Sequence, residues 1–412
     1  MRLASLVLCL LTLLPGVAAA QATVRFPPPS LRAGEFRADL RVRFHFDQRG
    51  LDNDAVGPED FIWRRARVAL EGRIYDDLEY EIDTELRDSE HPWRDLFLNY
   101  RRFNEAEFRA GKFKVPFGRD QLTSVFANSF IARSLIGSQL TPGRDIGAMV
   151  HGRLAGGKVN YSGGWFNSDG DNVRFSEDLE ANEFEEAPVD GMVAGRVVVA
   201  PWEATRGLAR HMQFGFNTTI GDVAPGLFGM RGRMTDGFVF FDPVYVSGRR
   251  LRLGVDGLWT PGPFSVQGEY NRLTDERNGQ GLSDVDLPNV IAQGWYLAGT
   301  WLLTGESKAG GVAPRRPLPV RGAGAFEVVA RIEEMRFSSA GTGGEPEFTN
   351  PRAANIKPNR DRALTLGGNW YLNRFGRIAF NAVRETIQDP LRSPRPDRTT
   401  FWSSTLRFQF VM

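Results

Sequence analysis

Hydrophobic and polar side chains alternate along much of this sequence, beginning with the stretch RADLRVRFHFD from Arg37 to Asp47. Its odd-numbered positions are charged or polar, and its even-numbered positions are Ala, Leu, Val or Phe. A period of two residues predicts a β-strand with one apolar face and one polar face. The pattern alone does not decide which face meets solvent, because a soluble sandwich and a membrane barrel share this period.

The same rhythm recurs along the chain as a strand of about ten residues, a short turn, a second strand and a long polar loop. This repeat is typical of an outer-membrane barrel. We predict strands at 36–47, 61–74, 78–86, 95–102, 106–115, 144–154, 158–167, 190–199, 210–220, 248–259, 264–273, 289–302, 324–337, 361–372, 377–385 and 400–411. The predicted fold class is therefore all-β, a transmembrane antiparallel β-barrel of about 16 strands.

The last predicted strand lies in the segment TTFWSSTLRFQFVM. Trp402, Phe408 and Phe410 share one face of it, and Arg407 lies on the other. A chain that ends on an amphipathic, aromatic strand is similar to the assembly signal of outer-membrane proteins, which implies the barrel assembly machinery as a partner. Met412 departs from that signal, because its last residue is usually aromatic.

The first 20 residues have the layout of a secretory signal peptide. A basic residue precedes an apolar run from Leu3 to Leu14, a Pro-Gly breaker and small residues up to Ala20. The run is too short for a transmembrane helix. We therefore predict Sec-type export, a signal peptide at 1–20 and a barrel at 21–412 in the bacterial outer membrane.

Composition adds little to this picture and excludes some function classes. The formal net charge of +1 gives no overall basic character that would favour nucleic acid. The charged content of 25% resembles that of a soluble protein, but a barrel interleaves apolar and polar residues and gives the same average. The single cysteine, Cys9, lies in the signal segment, so we expect no disulfide and no thiolate metal ligand.

The long polar connections are rich in Gly, Pro, Asp and Asn and are expected to lie in water. Asp169 and Asp171 match part of a calcium-loop spacing, but the rest of that spacing is missing. A solvated loop is the expected state of this pair, and we predict neither a metal nor a cofactor.

Arginines lie on the polar face of the first two predicted strands, where they would line a channel. They are Arg37, Arg41, Arg43, Arg65 and Arg67. A guanidinium fork binds two oxygens of a phosphate or carboxylate, so such a wall favours anions. The third strand places four carboxylates, between 79 and 85, on the same side. Anion attraction and cross-strand ion pairing that stiffens the wall both remain open.

From about Trp63 onward the sequence resembles the phosphate-selective porin O/P family. The segments that carry the resemblance are RRARVALEGRIYDDLEYEIDTEL, FRAGKFKVPFGRDQLTS, TPGRDIGAMVHG, YSGGWFN, LLTGES, GAFEVVARI and GNWYLN. The resemblance implies a 16-stranded channel, usually trimeric. It also implies a third extracellular loop that folds inward to narrow the pore, and basic lumen residues that attract anions.

A change of phase marks the segment FRAGKFKVPFG. Phe108 lies on the apolar face, but after Gly111 the apolar residues Phe113 and Val115 have the opposite parity. Glycine inside a strand is a usual site for a bulge, which would turn Lys112 and Lys114 toward the lumen. The alternative is a surface pair at the mouth of the barrel.

The loop that follows, up to about Pro142, is too apolar for a free surface loop. It contains Phe126, Phe130, Ile131 and Leu135, which must pack against something, and the inside wall of the barrel is available. The candidate pore-lining residues of this loop are Arg119 and Arg133. A third candidate, Arg144, stands at the start of the next predicted strand.

The predicted function is passive passage of small hydrophilic solutes, favouring anions such as phosphate or polyphosphate. The alternatives are a general or weakly cation-selective porin, an exported soluble β-sandwich that binds a ligand, and an outer-membrane enzyme. An enzyme is disfavoured because the chain has four histidines and no GxSxG segment. Outer-membrane lipid, small anions and two further copies of the chain are the predicted partners.

Overall fold

The computed structural model describes residues 29–51, 61–88, 92–172, 189–203, 207–319, 322–341, 345–347, 349–395 and 397–412. The predicted signal peptide at 1–20 lies outside these residues, as does most of the predicted loop between Asp171 and residue 189.

Sixteen long antiparallel strands of the described chain form a sheet that closes on itself. They are β1 Phe36–Leu51, β2 Phe61–Ile74, β3 Leu78–Glu85, β4 Trp93–Phe103, β5 Ala106–Lys114, β6 Arg144–Leu154, β7 Val159–Phe166, β8 Val189–Val199, β9 Met212–Gly226, β10 Val246–Trp259, β11 Phe264–Arg277, β12 Leu287–Leu302, β13 Ala325–Ser339, β14 Asn359–Tyr371, β15 Gly376–Ile387 and β16 Thr400–Val411. Each strand pairs with the next, and β16 closes the ring on β1, with Phe408 opposite Phe46. The predicted barrel and strand number are confirmed.

Several strands are longer than predicted at the end where the long connections lie. β11 continues to Arg277 rather than residue 273, and β9 to Gly226 rather than 220. The residues added to β11 are polar on both faces, so the hydrophobic alternation stops while the backbone ladder continues. A short strand, Ser30–Ala33, also pairs with the start of β1 and was not predicted.

The apolar face of the strands points outward. Leu98, Phe108 and Ile332 are about half exposed, whereas Asp47 and Glu333 on inner faces are buried. This arrangement is the reverse of a soluble sandwich, in which the apolar faces meet in the core. The membrane-barrel interpretation is therefore confirmed for the described chain.

Two connections enter the barrel. L3, residues 115–143, carries the helices α1 Arg119–Leu122 and α2 Leu135–Gln139, and its inward fold agrees with the prediction. L5, residues 227–245, enters as well and forms a small hairpin that was not predicted. Apolar side chains of both loops form one buried core with the inner wall, including Phe130, Ile136, Met230, Phe240 and Phe337.

No helix in the described residues is long and apolar enough to cross a membrane.

Candidate functional site

The barrel keeps an open cavity of about 700 Å³ between L3 and the inner wall of β1 to β7. Nine of its lining residues are Arg or Lys and five are Asp or Glu, so positive charge exceeds negative charge by four. The basic residues are Arg41, Arg43, Arg67, Arg101, Arg109, Lys114, Arg133, Arg144 and Arg153. The acidic residues are Glu79, Glu81, Asp83, Asp95 and Glu107.

The internal fold of L3 is organised by one buried carboxylate, Asp120. Its Oδ2 accepts hydrogen bonds from the backbone N–H of Ser134 at 2.7 Å and from the Ser134 hydroxyl at 2.9 Å. Its Oδ1 accepts from the Asn128 amide at 3.2 Å. These bonds tie the start of α1 to the residue preceding α2, so the loop has a defined shape before it meets the wall.

Four arginines on β10, β13, β15 and β16 then hold L3 against the wall, and we call them the wall arginines. They are Arg252, Arg331, Arg377 and Arg407, all at most 3% exposed. Each donates to a backbone carbonyl of L3, for example Arg331 to Ala132 at 3.1 Å and Arg377 to Asn128 at 2.6 Å. Arg407 also forms two bonds of 2.6 Å to Asp47 across the closing strand pair. Their guanidinium groups are therefore committed to structure.

Lys114 and Arg133 both line the cavity, but L3 engages each of them. The Lys114 ammonium donates to the carbonyls of Gln121, Leu122 and Thr123 at 2.8–3.1 Å, at the C-terminal end of α1. A cation at that end satisfies carbonyls that have no partner within the helix. Arg133 donates from Nη2 to the Thr123 carbonyl at 2.7 Å, and its Nη1 makes no hydrogen bond. Burial lowers the pKa of Arg133, and nearby Asp120 offsets only part of that effect.

Arg41, Arg43 and Arg67 line the cavity as ion pairs across strands. Arg43 lies 2.8 Å from Asp83, Arg67 lies 3.0 Å from Glu85, and Arg41 pairs with Glu71. Carboxylates of β2 and β3 thus neutralise the arginines of the first hairpin, which is the cross-strand arrangement that the sequence left open.

Arg37 and Arg65 do not contact the cavity. Arg37 is half exposed, pairs with Asp39 on its own strand at 2.7 Å and lies near the short turn between β2 and β3, since it is opposite Arg73. Arg65 lies next to a bulge in β2. The register shows this, because the neighbouring β1 residues His45 and Phe46 pair with Arg65 and Trp63, which leaves one β2 residue between them unpaired.

Arg119, a predicted pore-lining residue, contacts the opposite wall instead. Its Nε donates to Asp256 at 2.8 Å, and its Nη2 donates to Gln213 at 3.2 Å. Asp256 is also engaged by Arg196, so this carboxylate joins L3 to β8 and β10. Arg119 anchors α1 rather than facing the open channel.

The placement of Lys112 corrects the prediction made for it. The ladders on both sides of β5 run through Gly111 without a register shift, so no bulge forms there. Lys112 lies opposite Leu96 and Ile146, which are exposed on the outer face. Gly111 serves close strand approach instead, because a Cβ atom there would lie 2.2 Å from the Leu96 carbonyl oxygen. Phe113 consequently points inward and forms part of the cavity lining.

Three carboxylates, Glu81, Asp83 and Asp95, bring one oxygen each within 4.8 Å of one another. This spacing is compatible with a metal ion, but two of the three already have cationic partners. Arg144 forms a bidentate pair with Asp95, with bonds of 2.7 and 3.2 Å, and Arg43 engages Asp83. We therefore assign the group to the ion-pair network of the wall.

The loop aspartate Asp169 was expected to be solvated, and that expectation is wrong. It is 4% exposed and bridges two inward arginines of β10, with one oxygen 2.7 Å from Arg250. Burial alone would raise the pKa of the Asp169 carboxyl, but Arg252 and Arg250 outweigh it and hold that pKa below its usual value.

Three basic residues of the cavity were not predicted from the sequence. Arg101 pairs with Glu79, whereas Arg109 and Arg153 form no ion pair among the described residues. Arg109 lies over the Phe97 ring, 4.2 Å from its centroid, and its nearest polar partner is Asn99 at 3.4 Å. Arg153 lies exposed at the end of β6, and no side chain among the described residues pairs with it. Strand parity could have found both, because Arg109 follows inward Glu107 and Arg153 follows inward His151 by two positions.

Comparisons with known proteins agree with this architecture. The profile of the family "Phosphate-selective porin O and P" matches residues 36–412. The chain is similar to Porin O of Pseudomonas aeruginosa, with 24% identity over 391 residues that cover 85% of this chain and 81% of the relative.

Solved structures share the fold. OmpT of Vibrio cholerae superposes with a TM-score of 0.57 at 11% identity, over 93% of this chain and 99% of that one. An anion-selective porin from Comamonas acidovorans gives a TM-score of 0.56 at 11% identity, over 92% of this chain and all of the other. The chain therefore belongs to the phosphate-selective porin O and P family and is a β-barrel channel of the bacterial outer membrane.

Proposed function

We propose that this porin conducts small anions through the cavity between L3 and β1 to β7, and that Arg109, Lys114 and Arg153 supply the selectivity. The observation that carries the proposal is the group of three cavity cations that are not held in ion pairs within the described chain, since Glu71 and Glu85, which lie outside the lining, neutralise Arg41 and Arg67. These three cations have no carboxylate within 4.0 Å among the described residues, unlike the paired arginines of the first hairpin.

The physical basis is partial dehydration in a narrowed lumen. A solute that enters beside L3 loses part of its hydration shell, and fixed positive charges compensate an anion but not a cation. Guanidinium forks suit the oxygens of phosphate or carboxylate. Passage also needs binding weak enough for release, which favours a few separated cations over one dense cage. Phosphate is the first anion to test, because the family is described as phosphate-selective.

The test compares wild-type channels with the double variant Arg109→Gln and Arg153→Gln in planar bilayers. Lys114 is left intact because it also caps α1. In a KCl gradient the wild type is expected to give an anion-selective reversal potential. The double variant should lower the anion-to-cation permeability ratio roughly threefold and weaken inhibition of chloride current by phosphate.

Arg37→Gln is the matched control, since it removes a basic residue of an inner strand face that does not line the cavity. It should leave the reversal potential unchanged. A cation-selective wild type would contradict the proposal, and so would an equal effect of the control and the double variant.

We also propose that three copies assemble in the membrane and that transport is passive. The trimer rests on the family resemblance, and chemical cross-linking in detergent tests it. Lipid hydrolysis by the purified protein would contradict passive transport as its sole role.

A further inference from the structure

The outer face of β11 to β15 changes character toward the end where most long connections lie. The outward residues of β13 are apolar from Phe326 to Ile332, and the next two are Glu334 and Arg336. The same change occurs on β14. Its outward residue Arg362 lies near the long connection, and the next outward residue toward the middle of the strand is Leu364. In outer-membrane barrels the long connections face outside the cell, so this edge lies in the outer leaflet.

Five arginines meet on this face, and we call them the outer arginine patch. They are Arg272, Arg336, Arg360, Arg362 and Arg384. The register places them in adjacent rows. Arg272 lies opposite Gln293, Gln293 opposite Arg336 and Arg336 opposite Arg360. Arg362 lies opposite Glu334, and Arg384 lies opposite Leu364.

The patch points away from the lumen. Arg272 has the parity of exposed Tyr270 on β11, and Arg384 has that of exposed Phe380 on β15. Inward neighbours such as Leu273 and Glu385 are buried. The five guanidinium groups therefore lie on the membrane-facing wall and take no part in the channel cavity.

Carboxylates on the same rows leave most of this charge uncompensated. Glu334 is the only acidic residue that the described chain places in those rows, and it lies 2.5 Å from Arg362 and 3.8 Å from Arg360. Arg272 and Arg384 have no side-chain partner among the described residues. Glu276, farther along β11, is engaged by Arg249. The patch thus carries an excess of four positive charges.

An arginine on the lipid face of a barrel costs about 2–4 kcal/mol at the midplane of the membrane but about 0–1 kcal/mol near the interface. Five neighbouring arginines are therefore compatible only with the headgroup layer. A guanidinium group in that layer forms charge-assisted, bidentate hydrogen bonds with phosphate. We propose that the outer arginine patch binds the phosphate groups of the phosphorylated glycolipid of the outer leaflet.

A second copy of this chain is a poorer occupant of the patch. A two-fold contact between copies would bring ten guanidinium groups together, and like charges repel at a desolvated interface. A three-fold contact would instead place the patch against a different face of the neighbouring copy, and the test below separates that occupant from lipid. The strands of this region are also long, since β12 has 16 residues, whereas β3 and β7 have eight. A tall wall reaches from the apolar layer into the headgroups, which suits contact with lipid.

The test measures binding of lipid A to the full-length folded channel in detergent by native mass spectrometry. The probes are bisphosphorylated lipid A and the same lipid with both phosphates removed. Wild type should bind the phosphorylated probe about tenfold more tightly than the dephosphorylated one. The triple variant R272Q, R336Q and R384Q should lose most of that preference while its KCl conductance stays unchanged.

Arg102→Gln is the control, because Arg102 is exposed at the opposite edge of the barrel, beside Asp77. It should bind both probes as the wild type does. Equal binding of the two probes by wild type would overturn the proposal. Loss of the oligomer in the triple variant with lipid binding intact would also overturn it and assign the patch to a contact between copies.

A single variant, Arg384→Gln, covers the case in which the triple variant fails to fold. It removes an unpaired cation, so the barrel should remain heat-modifiable and binding of phosphorylated lipid A should fall about twofold to threefold. Unchanged binding in this variant would count against the proposal.

Discussion

The two halves of the barrel wall use arginine in opposite ways. On β8 to β16 the inward arginines are buried under L3 and L5, and the wall arginines donate to loop carbonyls or pair with carboxylates. On β1 to β7 the wall meets an open cavity, and two of its arginines, Arg109 and Arg153, have no carboxylate partner within the described part of the chain. The same side chain is therefore structural under a loop and available to solutes beside it.

The difference has one physical cause, which is the position of L3. A buried guanidinium that lacks partners is costly, and each wall arginine that L3 covers accordingly donates to at least one carbonyl of the loop. An arginine that faces water in the lumen has no such requirement. Each of the following predictions changes one side of this contrast.

Removing the carboxylate that shapes L3 should have the largest effect on conductance. In Asp120→Ala the N–H and hydroxyl of Ser134 and the amide of Asn128 lose their acceptor, and we expect roughly 3 kcal/mol of lost stability. L3 should then lose its defined shape and narrow the lumen less. Single-channel conductance should rise, roughly twofold or more, with weaker ion selectivity.

Ser138→Ala is the control for this change, because the Ser138 hydroxyl bonds only to backbone carbonyls of Ser134 and Leu135. It should keep the wild-type conductance. A wild-type conductance in Asp120→Ala would show that the wall arginines alone fix the loop.

Removing a wall arginine should lower the free energy of unfolding and leave the anion-to-cation permeability ratio nearly unchanged. Arg331→Met keeps much of the side-chain volume but removes the donor to Glu333 Oε1 and to the carbonyls of Ala132 and Arg133. Glu333 Oε2 keeps its bond from the Leu135 N–H, so a buried carboxylate remains without its cation. Breaking a buried pair in this way costs about 3–5 kcal/mol. Unfolding in urea with intact detergent micelles measures the loss, and the reversal potential checks that selectivity is retained.

Arg109→Gln gives the matched comparison from the other half of the wall. It should be nearly neutral for unfolding and should shift the reversal potential. If the two variants had the same stability and the same selectivity, the contrast between the halves would be wrong.

The sequence predicted the strands of the barrel wall better than the loops that fold into the barrel. Period-two alternation identified sixteen strands, because the membrane imposes a separate solvent on each face of each strand. Apolar residues such as Phe130 and Leu135 also indicated that L3 folds inward. L5 was missed because its buried residues, including Met230 and Phe240, lie in a Gly-rich segment without a strong period.

Site residues were harder to predict, because parity gives the face of a strand but not what covers that face. Arg43 and Arg67 do line the cavity, yet β3 supplies their counter-charges. Arg119 anchors α1 through its contact with Asp256, which lies 137 positions away in the sequence and could not be inferred from strand parity. Lys112 was misplaced because the change in hydrophobic phase at Gly111 reflects an inward apolar cluster around Phe113, not a bulge.

Removing the carboxylate Glu81 should have the smallest effect and should sharpen the contrast on the open side. Glu81 lines the cavity and has no ion-pair partner among the described residues, so it is the counterpart of Arg109. Glu81→Gln removes a cavity carboxyl without releasing a partner, and we expect the anion-to-cation permeability ratio to rise by up to about 1.5-fold. Glu276→Gln on the outer face is the control and should leave the ratio unchanged. A fall in the ratio for Glu81→Gln would mean that the charge balance of this cavity does not set selectivity.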